Sequence, residues 1–220
     1  MTDMPHRLRD ILLNPIALLR MIREYFTPQR VEPVTDRAAL MAFLNTRASF
    51  MAQTSLYGYL RTRAGMRYPE LFDDDIFVTA INIAKWQIWL ACLSDLAVYM
   101  GGLLMQHPQA STAQVSALMQ GVVEEILQDT ATPADAGEQF AEAAGQVRQR
   151  LLLCDWPTVS DDEGPFSHSP RALVQWAPII DELKQLDEDI VVNSVRFRWQ
   201  KVRQELRRAL DAGAVLEVGA

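Results

Sequence analysis

Histidine is scarce in this sequence, with three among 220 residues, and cysteine is scarcer, with two. His6, His107 and His168 have Asp3, Leu104 and Pro165 three positions earlier. No Glu-x-x-His pair therefore exists, and the di-iron site of ferritin-like bundles is excluded. Cys92 and Cys154 stand far apart, which excludes a disulfide framework and a cysteine-based zinc site. A reducing compartment is the expectation. The Gly-x-Ser-x-Gly elbow, the phosphate-binding Walker loop and the dinucleotide fingerprint are all missing. So is any run of period-two alternation, which removes the strands on which most such motifs are held. Positive charge is short as well: 21 Lys and Arg stand against 28 Asp and Glu, a net of -7. Nucleic acid is not an expected partner, because neutralising phosphates needs a positive face. No metal and no cofactor is expected either.

Hydrophobic residues are plentiful, at 49%. They fall in helical rather than strand patterns, so the expected fold is all-α, a compact bundle of about six helices. Ile76 to Met105 is the longest apolar stretch. From Trp86 to Met105 its only charge is Asp95. About 20 such residues could span a bilayer. A carboxylate near the middle of the window, Lys85 and Asn82 upstream, and no basic cluster after Met105 favour a central helix wrapped by other helices. Asp73, Asp74 and Asp75 precede it, where carboxylates cap a helix and complement its dipole.

The other elements follow from caps and breakers. Thr35 or Asp36 caps a helix running to about Ala64, stopped by Gly65 and Pro69. Leu40, Phe43, Leu44, Arg47, Phe50, Met51 and Thr54 share one of its faces. Ser111 caps the next helix, to about Asp129. Thr132-Pro133 opens another, to about Leu153. Residues 156–169 read as a polar loop with a mobile centre. Pro170 opens a helix that Pro178 should kink or split. A last helix is expected from about Asp187 to Ala212, with Gly213 past its end. The N-terminal 30 residues read as an amphipathic arm ahead of a single helical domain over 31–220. From Pro15 to Phe26 the arm puts Leu18, Leu19, Ile22 and Phe26 on one stripe, flanked by Arg20 and Arg23. Such an arm either packs on the domain or lies in a bilayer interface.

Charge is unevenly spread. Residues 111–190 carry 4 basic and 15 acidic side chains, whereas residues 191–220 carry 6 basic and 3 acidic. In the last helix Val191, Val195, Trp199, Val202, Leu206 and Leu210 form the core stripe. Arg196, Arg203 and Arg207 form a ridge at its edge, and Phe197 projects on the far side near Ile190, Lys201 and Arg208. An aromatic among cations fits a protein partner or an anionic lipid surface. Three further charges stand in apolar settings: Arg47, Lys85 and Asp95. Buried charges are costly unless paired. They form either internal ion pairs or the lining of a small-ligand pocket.

Two functional expectations result. The first is a non-enzymatic adaptor or assembly factor, cytoplasmic or peripheral at a membrane. It would act through Arg20, Arg23, Arg196, Phe197, Lys201, Arg203, Arg207 and Arg208. The second is an enzyme or ligand-binding bundle with a pocket near Arg47, Lys85 and Asp95.

Overall fold

A computed structural model describes residues 32–218, and these hold seven α-helices and no strand. They are α1 (Arg37–Ala64), α2 (Asp75–Met105), α3 (Thr112–Thr130), α4 (Phe140–Leu152), α5 (His168–Trp176), α6 (Asp181–Ala209) and α7 (Ala212–Val218). The expected N-terminal arm lies outside the described residues.

The capping signals do what the sequence implies. The Asp36 carboxylate accepts from the Ala39 N–H at 2.8 Å and starts α1. Asp74 accepts from Ile76 and Phe77 at the head of α2. The Ser111 hydroxyl accepts from Gln114 at the head of α3. Gly65 closes α1 with φ 55°, a left-handed value that glycine takes without strain.

The bundle is organised around α2, which touches α1, α3, α4, α5 and α7. Eighteen of its 31 residues are buried, on every side of the helix. Its most apolar window is long enough to cross a membrane, yet 83% of that window is buried inside the protein. Other helices therefore take the place of lipid. Trp86 lies at the edge of this core. It is half-buried, and its indole N–H donates to Asp135 at 2.7 Å. Trp89, one turn on, is the buried one, at 3% exposure.

Three boundaries also differ from expectation. Thr132-Pro133 does not open α4; residues 131–139 form turns, with Gly137 at φ 75°, and the helix begins at Phe140. Propensity at Pro133 is overridden by a turn in which the Ala136 N–H reaches the Pro133 carbonyl. α6 starts six residues early, at Asp181, whose charge and that of Glu182 complement the helix dipole. Its far end comes at Ala209 because Leu210 leaves the helix to bridge Val34 in parallel. Val34 N–H donates to Ala209 O at 2.8 Å, and Asp211 N–H donates to Val34 O at 3.0 Å. Gly213 is thus inside α7 and is not a cap. Pro178 does split the chain between α5 and α6, as its missing N–H requires.

The segment expected to be a polar loop with a mobile centre is anchored near both ends. Trp156 and Phe166 are each 1% exposed. Trp156 lies against Gly101 and Val159 against Gly102; a β-carbon on Gly101 would come within 2.2 Å of the indole ring. The glycine pair in α2 is a groove that admits the loop.

Candidate functional site

The three internal charges each have a partner, and each partner is different. Asp95 is fully buried. Its carboxylate accepts from Arg150 Nη1 at 2.6 Å and from the backbone N–H groups of His168 and Ser169 at 3.2 and 2.8 Å. Arg150 also donates to Ser94 Oγ and to the Pro165 carbonyl. One carboxylate on α2 thereby pins α4 and the first turn of α5. Ser169 extends the network, accepting from the Trp199 indole N–H at 2.9 Å. Burial, reinforced by the nearby Asp95 charge, raises the Cys92 thiol well above its ordinary range. Cys92 is therefore an inert core thiol.

Lys85 pairs with Asp135 at 3.2 Å and lies 4.8 Å from the Trp86 ring centroid. Arg47 Nε lies 3.0 Å from Glu205 Oε2, across α1 and α6. That contact is off-line for a hydrogen bond, and both atoms are buried. The Arg47 guanidinium also covers the Phe43 ring at 5.6 Å. The three charges thus belong to separate helix–helix or helix–turn contacts.

A fourth ion pair escaped sequence reading. Asp187, 7% exposed, accepts from Nε and Nη2 of Arg63 and from the Tyr59 hydroxyl at 2.9 Å. The Arg63 hydrogen bond, against the effect of burial and helped by Tyr59, holds the Asp187 carboxyl below its ordinary range. Burial and the bond to Asp187 push the Tyr59 phenol up to about 12.

The residues expected to meet a partner do not share one environment. Arg203 and Arg207 both turn to Asp161 in the anchored loop. Arg207 Nη1 reaches its two carboxylate oxygens at 2.7 and 2.9 Å, and Arg203 Nη2 reaches its carbonyl at 2.7 Å. Tyr99 donates to the same carboxylate at 2.6 Å. Partial burial raises the Asp161 carboxyl, but hydrogen bonds from Tyr99 and Arg203 and the Arg207 charge take it below its ordinary range. Lys201 is half-buried; burial lowers its ammonium, which Glu205 opposes and Arg47 reinforces. Arg196, Phe197 and Arg208 are exposed. Arg20 and Arg23 lie outside the described residues.

Phe197 has company. Leu186 is 76% exposed, Ile190 70% and Phe197 72%. On a helix of 100° per residue these three fall within about 40° of one another. They form an apolar line on the outer side of α6. Ile190 also edges a groove of about 340 Å³ against Gly58, Tyr59 and Thr62 of α1. The 4 and 7 spacing was available in the sequence, but starting the helix at Asp187 hid Leu186.

No family model matches the chain, and no curated protein or solved structure matches it. What the chain does must be argued from its own surface. A second cleft, of about 240 Å³, lies among α2, α4 and α5, with Gln87, Gln146, His168, Arg171 and Trp176 on its walls. The Gln87 amide nitrogen is buried and makes no hydrogen bond among the described residues. Neither cleft is lined by Arg47, Lys85 or Asp95.

Proposed function

We propose that the protein is a non-enzymatic helical adaptor or assembly factor acting through protein–protein contacts, with the outer side of α6 as its contact face. The carrying observation is the exposed line of Leu186, Ile190 and Phe197. Single exposed apolar residues are ordinary, whereas large side chains aligned along one helix mark a docking surface. The internal charges support the same reading, because Arg47, Lys85 and Asp95 are paired within the fold. A protein suits this face better than an anionic bilayer: Glu182 and Asp189 stand beside the apolar line, and Arg203 and Arg207 are held by Asp161. A cytoplasmic setting, peripheral where the partner is membrane-bound, belongs to the same proposal.

The test is purification of the tagged full-length chain from its own host, with cytosol and membranes assayed separately. Phe197→Glu is expected to lose a protein that the wild type retains. Identical recovery by both would contradict the reading. Flotation of the pure protein with anionic vesicles at low salt would instead make lipid the partner.

The unpaired Gln87 amide favours a second reading, a small polar ligand in the α2–α4–α5 cleft. It would show as a Gln87→Leu variant that loses thermal stabilisation by a small-molecule library hit.

A further inference from the structure

We infer that the occupant of the α6 face is a second copy of this chain, docked antiparallel about a two-fold axis near Asn193 and Ser194. The inference rests on the adaptor reading and names the partner it leaves open.

Charge is divided along the exposed side of α6. Asp181, Glu182, Glu188 and Asp189 are exposed at one end of α6, and Arg196, Arg207 and Arg208 at the other, with Arg207 already held by Asp161. A parallel pair of α6 helices would stack like charge on like. An antiparallel pair sets the acidic end of each against the basic end of the other, and it also opposes the two helix dipoles.

The apolar line agrees with the same axis. With the two-fold between residues 193 and 194, Ile190 of one copy faces Phe197 of the other, and the contact occurs twice. Leu186 then lies over the aliphatic stem of Lys201 in the second copy. Asn193 and Ser194, both exposed, meet at the axis, where a polar pair fixes register. Asp189 and Arg196 fall on one flank, within about 20° of each other on the wheel. That axis sets Asp189 of each copy beside Arg196 of the other. Both are exposed, and neither forms an ion pair with another described residue. The stretch from Glu182 to Arg208 is about 40 Å long. Two such helices side by side, with the α1 groove next to Ile190, offer the length over which a stable dimer can bury its roughly 1,200 Å².

Sedimentation equilibrium of the full-length protein, from micromolar to several hundred micromolar, tests this. The wild type is expected to reach twice its 24.9 kDa. Asp189→Arg and Arg196→Asp should each weaken the dimer by about tenfold. The two together should restore it, since the opposed charges are exchanged. Ile190→Glu should leave a monomer with an unchanged circular-dichroism spectrum and the melting temperature that the wild type has at concentrations where it is monomeric. A wild-type monomer throughout the range would overturn the inference, as would a double exchange no tighter than either single change. If the wild type is a monomer while Phe197→Glu still loses a host protein, the second-copy inference falls and the adaptor reading stands. A monomer whose Phe197→Glu variant loses nothing removes both.

Discussion

At the scale of single residues, Gly101 and Asp95 do the most to fix the fold. A mid-helix Gly→Ala change ordinarily stabilises by up to about 1 kcal/mol. At Gly101 the new methyl would meet the Trp156 ring. Gly101→Ala is therefore expected to destabilise by about 1–3 kcal/mol, as overpacking does, in urea unfolding. Arg150→Met would leave the Asp95 carboxylate buried without its cation. A loss of about 3–5 kcal/mol is expected. Replacing both, as Asp95→Leu with Arg150→Met, should recover little of this. The His168 and Ser169 N–H groups would lose their acceptor in the double variant. Asp95 was legible in the sequence as a charge needing a partner. Arg150 was not, because nothing in a lone helical arginine 55 residues away marks it as that partner.

The elements are held to one another by such clusters, and one of them is open to titration. Asp187 of α6 is held below its ordinary range by Arg63 and Tyr59 of α1. Its contribution to stability is complete above the unfolded value of roughly 4 and is lost as pH falls through the lower folded value. Tyr59 is raised, to about 12. Its contribution is complete below about 10 and is lost as pH rises toward 12. Tyr59→Phe is expected to flatten the alkaline limb of a stability–pH curve while leaving an acid limb, read by thermal melts at fixed salt. A second clamp ties the 156–167 segment to α6 through Asp161. Asp161→Asn should cost about 1–2 kcal/mol and speed amide exchange across 157–165, with α2 unaffected. The sequence predicts a polar loop with a mobile centre here. Its polar composition was visible, but Trp156 and Phe166 anchor it only because α2 offers the Gly101–Gly102 groove. The caps at Asp36, Asp74 and Ser111 were legible, being local. The ends of α4 and α6 were not: a turn at Pro133 and the Val34–Leu210 bridge set them.

For the whole molecule, the central position of α2 was legible from its unbroken apolar run, since a helix apolar on every side must be surrounded. The contact face was legible only in part. Phe197 stood out beside Ile190 and among cations, whereas Leu186 joined them only because α6 starts at Asp181. The all-α bundle leaves one long helix with an apolar outer line and opposite charge at its two ends. Antiparallel pairing of that helix with its own copy is the claim that organises the molecule. The most direct measurement is a pulsed electron-spin distance on the full-length protein, labelled at Gln185→Cys with Cys154→Ser to remove the accessible native thiol. With the two-fold near residue 193.5, the helical rise and an ordinary interhelix spacing place the labels about 25–30 Å apart. A distribution centred there supports the antiparallel pair. A separation under about 15 Å, which a parallel pair would give, or no dipolar signal at several hundred micromolar protein, would contradict it.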